Sequence, residues 1–546
     1  MIELVAHNLA PIMFVSLIVL LLLGYPVAFS LAANGLIFFA IAVELSPYSN
    51  SISLSWPLLQ ALPGRILDVM RNDTLLAIPF FTFMGIILER SGMAEDLLDT
   101  IGQLFGPVRG GLAYAVILVG ALLAATTGVV AASVMAMGLI SLPIMLRYGY
   151  DRPVAVGVIA ASGTLAQIIP PSLVLIVLAD QLGLSVGDMY AGALIPGLLL
   201  TAIYCAYVLV VTLLRPAALP ALPVAARSLQ GSPLSLAPVL AGSATIAAGT
   251  YLYLAPRLEN GAGIWAASAA AAAAYGFALL DDGLRLNLLS HLARRVVIVL
   301  VPPLALIFLV LGTIFLGIAT PTEGGAMGAA GALIIAMAKR RLSFALLGDA
   351  LDATTRLACF VLFVLIGSRI FSLTFYGING HVWVEELFFG LPGGVWGFLL
   401  AVNLLVFVLG CFIDFFEIAF IVVPLIAPVA AKLGIDLVWF GIILGINLQT
   451  SFLTPPFGFA LFYMRSVAPV AAYVDKITGG LISGVTTLQI YRGAIAFIVL
   501  QVIMIAVTVI FPDISTPSAA PTVDADSIDI EIPILEGGEP APPSFD

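Results

Sequence analysis

The sequence has few charges: of its 546 residues, 10% are charged and 62% are apolar. An average soluble domain has about 25% charged residues. Charge-free runs recur at lengths that suit a bilayer, which needs about 20 apolar residues per helical span. Examples are Asn8 to Val43, Gly110 to Leu146 and Val296 to Thr322. This composition excludes a water-soluble globular domain and predicts a polytopic membrane protein.

The apolar runs also lack the alternation of a β-barrel, whose segments alternate over about ten residues. Phe14 to Leu23, for example, is apolar on every side. Because lipid offers no hydrogen-bond partners, each run must satisfy its backbone within itself, and we expect about twelve to fourteen helical segments. The first run has neither a charged n-region nor a small-residue cleavage site, so it is expected to stay in the membrane.

Cysteine, histidine and lysine are scarce, at three residues each. Cys205, Cys359 and Cys411 lie in apolar runs without CxxC spacing, which excludes a disulfide framework or zinc site, and we expect them to be core residues. The histidines are far apart, and no Ser/His/Asp constellation is visible. None of the lysines lies in a glycine-rich phosphate loop, so no ATP site is predicted.

Composition divides the chain into four parts. Residues 1–214 and 296–512 form two halves, and residues 215–295 form an insert with two accessory spans near Leu236 to Ala255 and Gly263 to Leu280. The tail, 513–546, holds eight acidic residues and no Lys or Arg, and its composition predicts disorder. Without it, 21 basic face 23 acidic residues. Arg147, Arg152 and Lys339-Arg340-Arg341 are the best cytoplasmic candidates under the positive-inside rule.

The two halves carry interruptions in the same order. In the first half these are Thr126-Thr127-Gly128, then Gly149-Tyr150-Asp151, then Ser162-Gly163-Thr164 leading to Ile169-Pro170-Pro171-Ser172. In the second they are Gly410-Cys411, then Gly434-Ile435-Asp436, then Asn447-Leu448-Gln449-Thr450 leading to Thr454-Pro455-Pro456. The first proline follows its aspartate by 19 residues in both halves. Paired Gly/Pro-interrupted segments are typical of the binding sites of transporters with inverted repeats.

Two consecutive prolines open a helix, because they remove two backbone donors and clash with the preceding turn. Opening frees carbonyls such as those near Ala166, Ile169 and Leu453, which suit a hard cation like sodium. The half-helix that restarts afterwards directs a partial positive charge at the same place and suits a carboxylate. The alternative is that each doublet only bends its helix, as most prolines in membrane helices do.

Ionisable residues occur in or beside apolar segments, where they are costly and usually functional or paired. They are Asp73, Glu323, Arg356, Arg369, Asp414 and Glu417. For Asp73 and Glu323 a second interpretation stays open, in which they lie at helix ends and cap backbone donors.

Several segments together resemble the large membrane subunit of the tripartite ATP-independent periplasmic (TRAP) transporters, the DctM-like family. They are Gly24-Tyr25-Pro26-Val27-Ala28-Phe29, Asn72-Asp73-Thr74-Leu75-Leu76-Ala77-Ile78-Pro79, Gly163-Thr164-Leu165-Ala166-Gln167-Ile168-Ile169-Pro170-Pro171-Ser172, Ala319-Thr320-Pro321-Thr322-Glu323 and Leu453-Thr454-Pro455-Pro456-Phe457-Gly458. The resemblance covers nearly the whole chain except the insert and the tail. The insert is similar to that of the longer branch of the family.

The resemblance implies an all-α polytopic protein of the bacterial inner membrane, an elevator-type transporter with an inverted repeat, two re-entrant helical hairpins and broken helices. It implies two partners, a small DctQ-like membrane subunit and a DctP-like periplasmic binding protein, and co-transported sodium with no organic cofactor. By motif match, the sodium ligands would be Thr127, Val130, Ala166, Ile169 and Pro171 at one site and Gly410, Ile413, Ser451 and Thr454 at the other.

The chain departs from the family pattern at three places. Thr127-Gly128-Val129-Val130 stands where the family commonly has Ser-Gly-Ser-Ser, so two hydroxyls are absent and a ligand at Val130 would be a backbone carbonyl. Ala166 and Ser451 stand in place of the usual glycines.

The function expected from these features is sodium-driven uptake of a small organic acid delivered by a binding protein. The anion would lie between the two tips and the two breaks, near Thr126, Thr127, Gly128 and Asp414, with Thr164, Ser172, Thr450 and Thr454 as hydrogen-bond donors. The alternatives are a stand-alone sodium/carboxylate symporter, a permease powered by a separate ATPase, and an intramembrane enzyme using Asp414 or Glu323.

Overall fold

The computed structural model describes residues 2–49, 52–227, 229, 233–257, 261–284, 288–475 and 477–516. Those residues form 23 α-helices, eight of them long and apolar enough to cross a membrane alone. The number of candidate spans rises to ten if each of two bent helix pairs is one span. The helix count exceeds the expected segments because each hairpin and each broken span contributes more than one helix. Most of the acidic tail lies outside the described residues.

The first half contains eleven helices. They are α1 (Ile2–His7), α2 (Leu9–Leu22), α3 (Val27–Leu45), α4 (Leu62–Met70), α5 (Asp73–Arg90), α6 (Met93–Leu104), α7 (Gly111–Thr127), α8 (Val130–Arg147), α9 (Arg152–Thr164), α10 (Leu173–Leu182) and α11 (Val186–Leu214). Helices α4 and α5 meet at a bend of 45°. A single 3-10 turn, Leu165–Gln167, continues α9 towards Pro170.

The segment between the halves contains α12 (Ala237–Leu254) and α13 (Ala262–Gly283). They pack on each other and, through α13, on the helix that follows, and they contribute to a small apolar cluster separate from the main core. Asp281 at the end of α13 accepts hydrogen bonds from Leu288 N and Arg294, and its carboxylate lies 2.9 Å from the Arg294 guanidinium. The two spans expected here are therefore present as helices, whereas the boundaries of the four parts stay a prediction.

The second half contains ten helices and a two-stranded hairpin. The helices are α14 (His291–Phe315), α15 (Pro321–Ala338), α16 (Phe344–Gly377), α17 (Gly380–Phe389), α18 (Val395–Gly410), α19 (Phe415–Ile421), α20 (Val423–Lys432), α21 (Leu437–Phe452), α22 (Phe459–Val467) and α23 (Thr487–Ile510). The strands β1 (Tyr473–Val474) and β2 (Leu481–Ile482) pair antiparallel between α22 and α23.

The two halves interlock through equivalent helices. In each half a long helix pair is followed by a shorter helix, a re-entrant hairpin, a broken span and a final long helix. Helix α3 packs on α16 and α5 packs on α15, so each contact joins one half to the other. The order of elements confirms the all-α membrane fold with repeated hairpins and broken helices.

Small residues allow the closest helix contacts, as is usual where lipid provides no hydrophobic driving force between helices. Gly157 on α9 faces Gly493 on α23, and a Cβ on Gly157 would lie 2.4 Å from the Gly493 carbonyl oxygen. Any larger side chain at either position would push the two helices apart.

The ionisable residues at helix starts act mainly as caps. Asp151 and Asp436 cap α9 and α21, accepting from Val154 N and Trp439 N at 3.3 and 2.8 Å. Their equal distance from the proline doublets reflects two half-spans of similar length. Glu323 completes a capping box with Thr320, which supports the helix-end interpretation of this residue.

The cysteine prediction was wrong in part. Cys359 is exposed, and Cys205 and Cys411 are partly buried. Cys359 lies on α16 beside the exposed Phe360, where an apolar side chain is stable facing lipid. No group of three or more His, Cys, Asp or Glu side chains within the described ranges is arranged to hold a metal ion.

Candidate functional site

The first break, residues 165–172 between α9 and α10, lies wholly within the protein. Both prolines of its doublet are buried, and the Pro170–Pro171 peptide bond is cis. Proline at 170 removes the donor that the Ala166 carbonyl would have in a continuous helix, and proline at 171 removes that of Gln167. The Ser172 hydroxyl donates to Gln167 O at 2.9 Å, whereas no described donor reaches Ala166 O or Ile169 O. Two buried carbonyls are therefore free to bind a cation.

The second break, residues 453–458 between α21 and α22, is built in the same way but is more open. Its Pro455–Pro456 bond is also cis, and Pro456 and Phe457 are exposed. Ser451 O accepts from Thr454 N at 3.0 Å, which replaces the donor lost at Pro455. No described donor reaches the Leu453 carbonyl. This break therefore also offers a free carbonyl, next to residues that are exposed at the protein surface.

The first hairpin, α7 and α8, has its tip at Gly128 and Val129. Gly128 has φ +60°, a left-handed conformation that favours glycine, and a Cβ there would lie 2.9 Å from Leu173 Cγ. The tip therefore rests on the first residue of α10, directly after the first break. Because α8 begins at Val130, its unbonded N–H groups face this junction. The Thr127 side chain is outside what the structure describes.

The second hairpin, α18 followed by α19 and α20, has its tip at residues 411–414. A Cβ on Gly410 would lie 2.2 Å from Ser451 Oγ, so this tip touches the helix that enters the second break. Asp414 caps α19, accepts from Phe415 N at 2.8 Å and forms a capping box with Glu417. The carboxylate uses the donors at this helix start, so the second tip is less suited to an anion than the first.

The hydroxyls predicted at the site already donate to backbone carbonyls about one turn earlier. The donors are Thr126 to Leu123, Thr164 to Ala161, Thr450 to Ile446, Ser451 to Leu448 and Thr454 to Thr450, at 2.8 to 2.9 Å. Since each hydroxyl has one proton, its remaining lone pairs can only accept or coordinate. In this conformation these oxygens suit a cation better than they suit an anion that needs donors.

The two breaks are joined by one buried hydrogen-bond network. Gln449 Nε2 donates to Thr164 Oγ1 at 3.3 Å and lies 3.2 Å from Tyr204 Oη. Gln501 Nε2 donates to the same phenol oxygen at 2.7 Å. All four side chains have 0% exposure. The network therefore joins α9, α21, α11 and α23 at the centre of the fold.

Each hairpin is fastened to its broken span differently. Asn447 Nδ2 donates to Asn403 O and Oδ1 at 2.7 and 2.8 Å, which ties α21 to α18. At the equivalent position of the first half, Ser162 packs against Gly120, where a Cβ would lie 2.6 Å from Ser162 Cβ. The first hairpin is thus held by close packing and the second by polar bonds.

The structure brings most of the predicted site residues to these junctions. Val130, Ala166, Ile169, Pro171 and Ser172 gather at the first break and tip, and Gly410, Ile413, Ser451 and Thr454 at the second. The sequence did not single out Tyr204, Gln501 or Asn403. Gln501 is a lone amide in the charge-free run from Gly493 to Pro512, and this isolation was the available signal.

The chain matches known membrane transport proteins over most of its length. A family model described as the tripartite ATP-independent periplasmic transporter, DctM component, matches residues 14–514. The chain is 30% identical over 414 residues to the C4-dicarboxylate TRAP transporter large permease protein DctM of Pseudomonas aeruginosa, covering 75% of this chain and 81% of that protein. It is 24% identical to the sialic acid TRAP transporter large permease protein SiaM of Vibrio cholerae, covering 90% and 94%.

Among solved structures, the fold is similar to the crystal structure of the Alcanivorax borkumensis YdaH transporter. The TM-score is 0.50 at 14% identity, and the match covers 89% of this chain and 100% of that one. At this identity the likeness concerns the fold alone.

Proposed function

Because the chain belongs to the DctM component family of tripartite ATP-independent periplasmic transporters, we propose that it couples inward movement of a small organic anion to sodium ions bound at its two helix breaks. Membership makes it a multi-pass permease subunit of the bacterial inner membrane and not an enzyme. Beyond this membership, we propose the coupling to sodium and the class of substrate.

The observation that carries the proposal is the pair of opened helices with free carbonyls. Ala166 O and Ile169 O at the first break, and Leu453 O at the second, accept no hydrogen bond from the described residues. Buried carbonyls normally have partners, and the exceptions need an explanation. At the second break, the hydroxyl oxygens of Ser451 and Thr454 flank Leu453 and have already donated their protons to backbone carbonyls. Oxygen ligands without net charge suit a monovalent hard cation.

The anion would lie closer to the first tip than to the second. The start of α8 and the start of α10 both present unbonded N–H groups there, and helix N-termini stabilise negative charge. At the second tip, Asp414 already occupies the start of α19. Thr126, Thr127, Gly128, Thr164 and Ser172 are thus the proposed substrate side of the site, with Thr450, Thr454 and Asp414 opposite.

The energetics favour more than one coupling ion. Moving one negative charge inward against about 100 mV, inside negative, costs about 2.3 kcal/mol. A dicarboxylate therefore needs two cations to cancel this cost, which matches one ion per break. The sodium gradient then supplies the remaining driving force.

The partners follow from the family name, since a tripartite system has two further components. We propose a small DctQ-like membrane subunit and a DctP-like periplasmic binding protein. The two relatives are named for C4-dicarboxylate and for sialic acid. Both are organic acids, so we propose a small organic acid as substrate and no narrower class.

The test is uptake by proteoliposomes that contain the chain with its small subunit. They receive binding protein loaded with radiolabelled succinate or N-acetylneuraminate, under an inward gradient of sodium or of potassium. We expect uptake of one substrate with sodium and little with potassium. Equal uptake in both salts would refute sodium coupling, and full uptake without the binding protein would favour a stand-alone symporter.

A further inference from the structure

Thr164 and Gln449 occupy equivalent positions in the two halves. Thr164 lies six residues before Pro170, and Gln449 lies six residues before Pro455. Their side chains meet across the centre of the fold, where Gln449 Nε2 donates to Thr164 Oγ1 at 3.3 Å. This hydrogen bond therefore links the position of one broken span directly to the position of the other.

Two residues outside the broken spans hold this contact. Tyr204 on α11 accepts from Gln449 at 3.2 Å, and Gln501 on α23 donates to the same phenol oxygen at 2.7 Å. The Tyr204 ring is fixed edge-on against Phe497, with centroids 5.1 Å apart. The position of the Gln449 amide thus depends on Tyr204, which in turn depends on α23.

The network leaves two of its buried polar atoms without a hydrogen-bond partner. The Oε1 atoms of Gln449 and Gln501 are buried and have no partner among the described residues. Unpartnered buried polar atoms cost free energy, and an apolar contact of the same shape would avoid that cost. Polar residues kept at such a cost can specify one arrangement of the surrounding helices.

The network lies next to both proposed ion sites. Thr164 is two residues before Ala166, and Gln449 is two residues before Ser451. Gly410 of the second tip leaves no room against Ser451, so a movement of α21 is passed to the second hairpin. A displacement at one break would therefore reach the other through a short chain of contacts.

We propose that Tyr204 and Gln501 are positioning residues that couple the two proposed sodium sites, so that binding of one sodium ion favours binding of the second. This inference rests on the proposed function. The network transmits the position of α9 at the first site to α21 at the second. Such a coupling between sites typically changes affinity by about 5- to 150-fold.

The experiment follows the thermal unfolding midpoint of the purified full-length chain as sodium chloride replaces choline chloride at constant ionic strength. For the natural protein we expect a sodium-dependent rise with a Hill coefficient above 1. Tyr204→Phe keeps the ring on Phe497 and removes only the hydroxyl, and Gln501→Leu removes the second arm of the network. Both variants should show a Hill coefficient near 1 and a half-saturating sodium concentration raised at least about fivefold.

Tyr207→Phe is the matched control, because Tyr207 lies one turn further along α11 and also packs on Phe497, at 5.0 Å. It should titrate like the natural protein. Natural Hill coefficients in both Tyr204→Phe and Gln501→Leu would overturn the inference, and so would a Hill coefficient of 1 in the natural protein. A natural protein with no response to sodium would instead contradict the proposed function itself. The two substitutions lie on different helices. If the Tyr204→Phe protein does not fold, the Hill coefficient of the Gln501→Leu protein therefore decides the test.

Discussion

The Arg147 guanidinium donates from two of its nitrogens to the Asp475 carboxylate, at 2.9 to 3.1 Å. This ion pair joins the end of the first hairpin to the loop that follows the second broken span. The Asp475 side chain is only 4% exposed, and it also accepts from the Thr478 hydroxyl. The ion pair therefore connects the two halves at one membrane face.

This ion pair predicts an acid-sensitive contribution to stability. Hydrogen bonds from Arg147 and Thr478 hold the pKa of the Asp475 carboxyl well below its ordinary value. A lowered pKa means that the contribution is full above the unfolded pKa of about 4 and is lost as pH falls below it. We expect Asp475→Asn to lower the unfolding midpoint at pH 7 and to flatten its decline below about pH 4.

Asp352→Asn is the control for this prediction. Asp352 pairs with Arg356 at 2.8 Å, but both side chains are well exposed, and exposed pairs contribute little. Its unfolding midpoint should stay near that of the natural protein. Equal losses in the two variants would contradict the importance of burial at Asp475.

The contact between Gly410 and Ser451 predicts a suppressor pair. A Cβ on Gly410 would lie 2.2 Å from Ser451 Oγ and 2.9 Å from its Cβ, so Gly410→Ala must displace the second tip. Overpacking costs about 1–3 kcal/mol, and we expect the half-saturating sodium concentration to rise at least about fivefold. Titration of the unfolding midpoint with sodium measures it.

Ser451→Gly, introduced with Gly410→Ala, should restore much of the unfolding midpoint measured without sodium, because it removes the atoms that the new methyl group meets. Gly249→Ala provides the control, since it lies within α12 with open space around it. Failure of the double variant to recover any of the unfolding midpoint would show that the destabilisation does not come from this contact.

The charge distribution predicts the sidedness of the chain. Arg147 pairs with the loop after α22, so α21 begins at the opposite face, beside Lys432. The face of Arg147 also carries Arg152 and, through Asp96 on α6, Lys339 and Arg341. Under the positive-inside rule this face is cytoplasmic.

Single cysteines in a cysteine-free background test this orientation. Ala217→Cys and Ala431→Cys are exposed at the two faces. In intact cells, a membrane-impermeant maleimide should label the cysteine at 431 and spare the one at 217. The reverse pattern would place the basic face in the periplasm.

The separate apolar cluster of the insert predicts that α12 and α13 can be removed. No residue of either helix belongs to the main core. Residues 233–287 would be replaced by a short Gly/Ser linker, together with Arg294→Gln, because Arg294 would lose both of its aspartate partners. We expect a folded protein whose unfolding midpoint still responds to sodium.

Arg294→Gln in the otherwise intact chain controls for that change. A shortened protein that aggregates or loses its sodium response, while the control keeps it, would show that the insert belongs to the functional body. The boundaries at residues 214 and 295 would then be wrong.

The sequence predicted those parts of the site that depend on local chemistry. A proline doublet opens its own helix, and an aspartate 19 residues earlier caps it, so both breaks could be located from Pro170 and Pro455 alone. The helix-end interpretation of Glu323 likewise rested on its neighbours and is supported by its capping box.

The contacts between distant segments could not be predicted in this way. Tyr204 and Gln501 are 297 residues apart, and neither differs locally from other polar residues of apolar helices. The Thr164 hydroxyl was expected to donate to a substrate, but it already donates to Ala161 O of its own helix. Side-chain contacts between the two halves of the repeat can be identified only from the three-dimensional structure.

Residues 215–227 leave α11 and cross the base of the first hairpin as a strap that contains a turn and a short 3-10 helix, Val224–Ala226. Its Leu219 and Ala218 carbonyls accept from Gly110 N and Asp151 N, at 3.0 and 2.9 Å, on either side of the hairpin. The strap therefore binds both ends of the first hairpin, whereas α13 of the insert packs on α14 of the second half. A movement of that hairpin relative to α14 would therefore have to be accommodated within the insert, between the strap and α12.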